Sequence, residues 1–71
     1  MYKVKFIFCN ELNDYELDTK IPVIPEIGDE IDCFFNKEFF QGLVVTKRIF
    51  DFNLSGTYRF VCLYLKNESE Q

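Results

Sequence analysis

The chain has 71 residues, 12 acids against 8 bases for a formal charge of −4, and neither His nor Trp. That length supports one small domain and excludes several. The missing imidazole removes the commonest general base, the acidic balance opposes a fold that lives on phosphate contacts, and no apolar run approaches the roughly 18 residues of a spanning helix.

Thirteen aromatic residues, nine Phe and four Tyr, are the compositional excess. They lie in runs that alternate with polar residues, which is the pattern of short strands around a small core. Tyr2 to Cys9 opens with strict alternation, with Tyr2, Val4, Phe6 and Phe8 on one face and Lys3 and Lys5 on the other. It predicts a first strand whose even positions point inward. Asn10 to Asp14 is a polar turn, and Tyr15 to Ile21 alternates behind it, completing a hairpin. Both prolines, Pro22 and Pro25, fall in the next stretch and enforce extended backbone before them. Gly28-Asp29 supplies a tight turn into a third strand, Glu30 to Phe35. After the short Asn36-Lys37-Glu38 connection comes the longest apolar run, Phe39 to Phe52, where Gly42 predicts a bend or bulge. Asn53 to Thr57 turns the chain and Tyr58 to Lys66 returns.

The expected fold is therefore all-β, a small closed five-stranded antiparallel barrel over residues 1–66 with a polar tail at 67–71. The stretch Ile24-Pro-Glu-Ile-Gly-Asp-Glu-Ile31, followed by Gly42-Leu-Val-Val-Thr-Lys-Arg48 and a final strand, resembles small SH3-like barrel proteins of bacteria and their phages. The resemblance rests on the Pro-x-x-Gly-Asp turn and the Gly-x-Val strand, and implies a fold and no role.

Several chemistries are weighed and set aside. Cys9, Cys33 and Cys62 include no C-x-x-C pair and read as reduced, small apolar residues. With no basic and apolar leader before the first strand, a cytoplasmic location is expected. Asp51-Phe-Asn-Leu-Ser-Gly56 copies the first half of a calcium loop, but its twelfth position is Cys62, so a hairpin turn with Gly56 at positive φ is expected. Asp29, Glu30 and Asp32 cluster without a titratable partner and read as solvated charges. Ser55 and Ser69 fall in a turn and a tail. No catalytic residue, metal or cofactor is expected, and the chain is not expected to be an enzyme.

The adjacent pairs Phe34-Phe35 and Phe39-Phe40 carry the functional expectation, because neighbours on a strand point to opposite faces. One member of each should therefore point outward or into a second layer, unless curvature, loop cover and bulges bury them all. If Val61, Leu63 and Leu65 point inward, Phe60, Cys62 and Tyr64 point out. Phe34, Phe39, Phe60 and Tyr64 are thus the expected protein-binding residues, on an exposed aromatic face for a homodimer or another protein partner. The acidic residues Glu26, Asp29, Glu30 and Asp32 suggest a variant in which a small phage-type inhibitor blocks a basic site. The alternative, a single-stranded nucleic-acid platform using Lys47, Arg48 and Arg59, is disfavoured by the acidic total. No membrane partner is expected.

Overall fold

A computed structural model describes residues 1–10 and 13–67. Glu11 and Leu12 of the first turn and the expected tail from Glu68, including Ser69, lie outside the described residues. Five strands are present: β1 (Tyr2–Cys9), β2 (Asp14–Ile21), β3 (Glu30–Phe35), β4 (Glu38–Phe52) and β5 (Tyr58–Asn67). Asn67, expected in the tail, is the last residue of β5 and pairs with Leu43.

The strands form one sheet in the order β2-β1-β5-β4-β3, curled into a half-barrel. Two expectations need correction. The sheet is mixed and not wholly antiparallel, since β1 and β5 pair in parallel with Val4 opposite Val61 and Phe8 opposite Leu65. The cause is parity: each connection reverses the chain, so strands one and five run the same way and can pair only in parallel. Nor is the barrel closed by a hydrogen-bonded ladder, because β2 and β3 stand at opposite edges of the sheet. They meet instead through side chains, with the Tyr15 ring 5.7 Å from Phe35 and the Tyr15 hydroxyl donating to Glu38 Oε2 at 3.2 Å.

The core sits on the concave face, where alternation delivers it: Val4, Phe6 and Phe8 from β1, Cys33 and Phe35 from β3, Leu43 and Val45 from β4, and Val61, Leu63 and Leu65 from β5. Tyr15 from β2 packs its ring on Phe8 at 5.9 Å, and Phe40 meets Phe8 edge-on at 5.0 Å. Tyr2 departs from the expected inward face; it is exposed at the strand end, its ring edge-on to Tyr58.

Strand β4 carries the curvature. Its 15 residues would run roughly 46 Å if straight, at about 3.3 Å per residue, yet the whole molecule is only 39 Å in its longest dimension. The bend is made at bulges. Opposite Asp32, β4 places two residues, Gln41 and Gly42, with Gly42 at φ 67° and its amide donating to Asp32 Oδ1 at 2.9 Å. Against β5 the register slips between Val45 and Lys47 and again between Asp51 and Phe52. The backbone of the loop between β2 and β3 is tied to β4 at Val45, where Gly28 donates to the Val45 carbonyl (2.9 Å) and Val45 to the Asp29 carbonyl (3.0 Å).

Candidate functional site

The tightest turn in the molecule positions the most exposed of the expected aromatic residues. Asn36 and Lys37, at φ 49° and 70°, form the two-residue connection between β3 and β4. Positive φ at both central positions is the type I′ signature, whose twist matches that of the strands it joins. The turn sets Phe34 opposite Phe39, while Phe35 goes to the core and Phe40 packs against it. Phe34 is 61% exposed and Phe39 46% exposed, with ring centroids 4.7 Å apart. They form an aromatic ledge on the convex face, across edge strand β3 and its neighbour β4.

Alternation on β3 puts Glu30 and Asp32 on the same outward face as Phe34, and both are exposed. Asp32 also holds the bulge at Gly42, which fixes the carboxylate beside the ledge. Glu26 and Asp29 lie elsewhere, in the loop before β3. There Asp29 Oδ2 accepts from the Glu26 amide at 2.8 Å, and the Asp29 amide donates to the Glu26 carbonyl at 3.0 Å. The four acids are therefore two pairs: Asp29 and Glu26 shape a turn, and Glu30 and Asp32 flank the aromatic ledge.

Phe60 and Tyr64 do not join this ledge. They are half-buried on the convex face of β5, where Tyr64 sits opposite Lys47. Seven residues of β4, with a bulge at Gly42 and another before Lys47, lie between Phe39 and Lys47. Cations cover both rings. Lys5 Nζ lies 5.7 Å and the Arg59 guanidinium 5.4 Å from the Phe60 centroid, and Lys47 Nζ lies 5.7 Å from that of Tyr64.

A second concavity follows from strand register alone. The hairpin sets Lys3 opposite Lys20 and Lys5 opposite Asp18, and these side chains surround a depression of about 380 Å³ with Phe60 in its wall. Lys3, Lys5 and Lys20 were absent from the sequence-based candidates. The outward lysines of β1 were legible, but their meeting with Lys20 and Phe60 depends on two strand pairings. Of the expected cationic set, Arg48 falls on the concave side, its guanidinium 5.4 Å from the Phe50 ring and Nη1 reaching the Pro25 carbonyl at 3.5 Å. Arg59 is ion-paired with Asp51 at 3.5 Å.

The Asp51 to Gly56 segment is a hairpin turn. Asn53 Oδ1 accepts from the amides of Ser55 (3.0 Å) and Thr57 (2.9 Å) and from the Ser55 hydroxyl (2.7 Å), and Gly56 adopts φ 84°. Among the described residues no group of three or more His, Cys, Asp or Glu side chains could hold a metal ion, and no helix is long and apolar enough to cross a membrane. Burial pushes the Cys33 thiol above its ordinary pKa. Desolvation, then the carboxylates of Asp14 and Glu16, do the same at exposed Cys9. Both shifts favour the thiol over the nucleophilic thiolate.

No protein-family model, no curated protein and no solved structure matches this chain.

Proposed function

We propose that the chain is a non-enzymatic protein-binding module whose partner docks on the Phe34–Phe39 ledge. The observation that carries this reading is the pair itself: two large rings brought into contact across a two-residue turn, both substantially exposed. Ordering of the rings before binding lowers the entropic cost of association, and aromatic anchors of this kind dominate binding energy at protein interfaces. Glu30 and Asp32 beside them suit a partner whose apolar contact surface is rimmed by Lys or Arg. An acidic inhibitor of a basic protein fits the same chemistry. The SH3-like affiliation belongs to this proposal too and rests on the Pro25 to Asp29 turn and the Gly42 to Val44 strand.

The test is affinity capture from the source lysate with the wild-type chain and with Phe34→Asp/Phe39→Asp, after far-UV spectra show that both fold alike. A protein retained by the wild type and lost with the variant supports the ledge. Identical capture by both would remove it from consideration.

A second reading is favoured by the lysines around Phe60: a platform for single-stranded nucleic acid. It ranks below the first because Lys5 and Arg59 already occupy the ring that a base would stack on. Titration with a short oligonucleotide at two salt concentrations tests it. A salt-dependent affinity lost in Lys3→Glu/Lys5→Glu would promote this reading over the first.

A further inference from the structure

Strand β4 outruns its neighbour. Its ladder to β3 ends where Val44 faces Glu30, and the last backbone bonds on that side are those of Val45 to Gly28 and Asp29. From Lys47 onward β4 is paired with β5 alone, so its other edge presents unpaired backbone groups, a template for another strand. The side chains along it are large and accessible: Ile49 is 40% and Phe50 42% exposed. The bulges at Val45/Lys47 and Asp51/Phe52 delimit the regular stretch, which is Lys47-Arg48-Ile49-Phe50-Asp51 with Ile49 at its midpoint.

That five-residue stretch is complementary to itself. We infer that β4 pairs antiparallel with β4 of a second copy of this chain, about a two-fold axis through Ile49, to make one sheet continuous across a homodimer. In this register Lys47 lies opposite Asp51 of the second copy, Arg48 opposite its Phe50, and the two Ile49 side chains meet at the centre. Every pair shares a face, because positions 47 and 51, or 48 and 50, differ by an even number. The pairs are favourable in kind: opposite charges on the convex side, a guanidinium against an aromatic ring on the concave side, and β-branched side chains at the axis. Within one chain Arg48 already lies over Phe50, so the dimer repeats a contact each monomer makes. A lysine on an edge strand normally opposes pairing; here the register supplies its counter-charge. Asp51 holds only an exposed pair with Arg59 at 3.5 Å, a weak competitor. A register shifted by one step of the axis, Phe50 on Phe50, sets Asp51 against Ile49 and loses the match.

The interface is distinct from the Phe34–Phe39 ledge, and its test does not depend on that reading. Sedimentation equilibrium on the intact chain over a concentration series should show a monomer–dimer equilibrium. Lys47→Asp and Asp51→Lys each set like charges opposite one another twice per dimer and should weaken dimerisation about tenfold or more. The double variant Lys47→Asp/Asp51→Lys should regain the wild-type constant, and an equimolar mixture of the two single variants should pair with each other. Far-UV spectra establish that each variant folds. If a reversal fails to fold, Lys47→Gln and Asp51→Asn remove the same pairs and should each weaken the dimer to a smaller degree. A wild-type chain that stays monomeric to about 1 mM, a dimer indifferent to the single changes, or a double variant that stays weakened would overturn the proposal.

Discussion

Asn53 shows how much of a small fold can depend on one side chain. Its Oδ1 accepts two backbone amides and a hydroxyl in the five-residue turn between β4 and β5. Asn53→Ala should cost about 1–2 kcal/mol, read as a lower urea midpoint at unchanged slope. The ionisable groups make a second prediction. Cys33 is raised by burial, Cys9 by desolvation and the adjacent carboxylates, and Tyr58 by burial and then by Tyr2. In each case the folded state keeps its proton longer than the unfolded chain. The stabilisation is complete below the ordinary pKa and is lost as pH rises through it toward the raised value. Stability should therefore fall from about pH 8.5 upward, and Cys33→Ala should flatten that fall. A midpoint that rises between pH 8 and 10 would contradict this assignment.

At the scale of elements, β3 and β4 are joined by a turn whose sequence does not match its geometry well. Lys37 occupies φ 70°, a region costing a non-glycine residue about 1 kcal/mol or more. Lys37→Gly should stabilise the chain by roughly 0.5–1 kcal/mol, because Asn-Gly is the preferred I′ pair, and thermal unfolding would report it directly. The strands themselves were legible in the residues. Alternation in Val4-Lys-Phe-Ile-Phe8 and in Val61-Cys-Leu-Tyr-Leu65 gives the buried faces, because a half-buried strand repeats every two residues. What alternation cannot convey is a shift of its own phase. The bulge after Val45 moves Arg48 and Phe50 to the side that Leu43 and Val45 occupy, so Arg48 lies on the concave side, away from Lys47 and Arg59 with which the nucleic-acid platform grouped it. The exposure of Phe34 and Phe39 follows from adjacency to Phe35 and Phe40. Their separation from Phe60 and Tyr64 follows only from the paths of β4 and β5 in three dimensions.

For the molecule as a whole, stability is distributed from the middle of the sheet outward. β5 and β1 have partners on both sides, whereas β2 and β3 are edges that meet through Tyr15, Phe35 and Glu38. Native-state hydrogen exchange should find the slowest amides in β5 and β1 and the fastest strand amides in β2 and β3. Tyr15→Phe removes the hydroxyl that reaches Glu38 and should speed exchange along β2 more than along β5. A uniform acceleration would mean that the edges open only with the whole sheet. The antiparallel expectation failed at this scale, since hairpin signals specify neighbours in the chain and contain nothing about which distant strands adjoin.

The pairing of the first strand with the last bears on how the chain is made. Val4 and Phe6 find their partners in Val61 and Leu63, nearly the whole chain later. On a translating ribosome adding ~5–20 residues per second, β1 waits roughly 3–11 s for β5. Until then the apolar face of β1 lacks its β5 partners Val61, Leu63 and Leu65, and only Tyr15, Phe35 and Phe40, made earlier, can reach Phe8. The nascent chain is thus an interrupted sheet whose centre strand arrives last, and any factor that shields emerging apolar segments would act on Val4, Phe6 and Phe8 before the fold itself can.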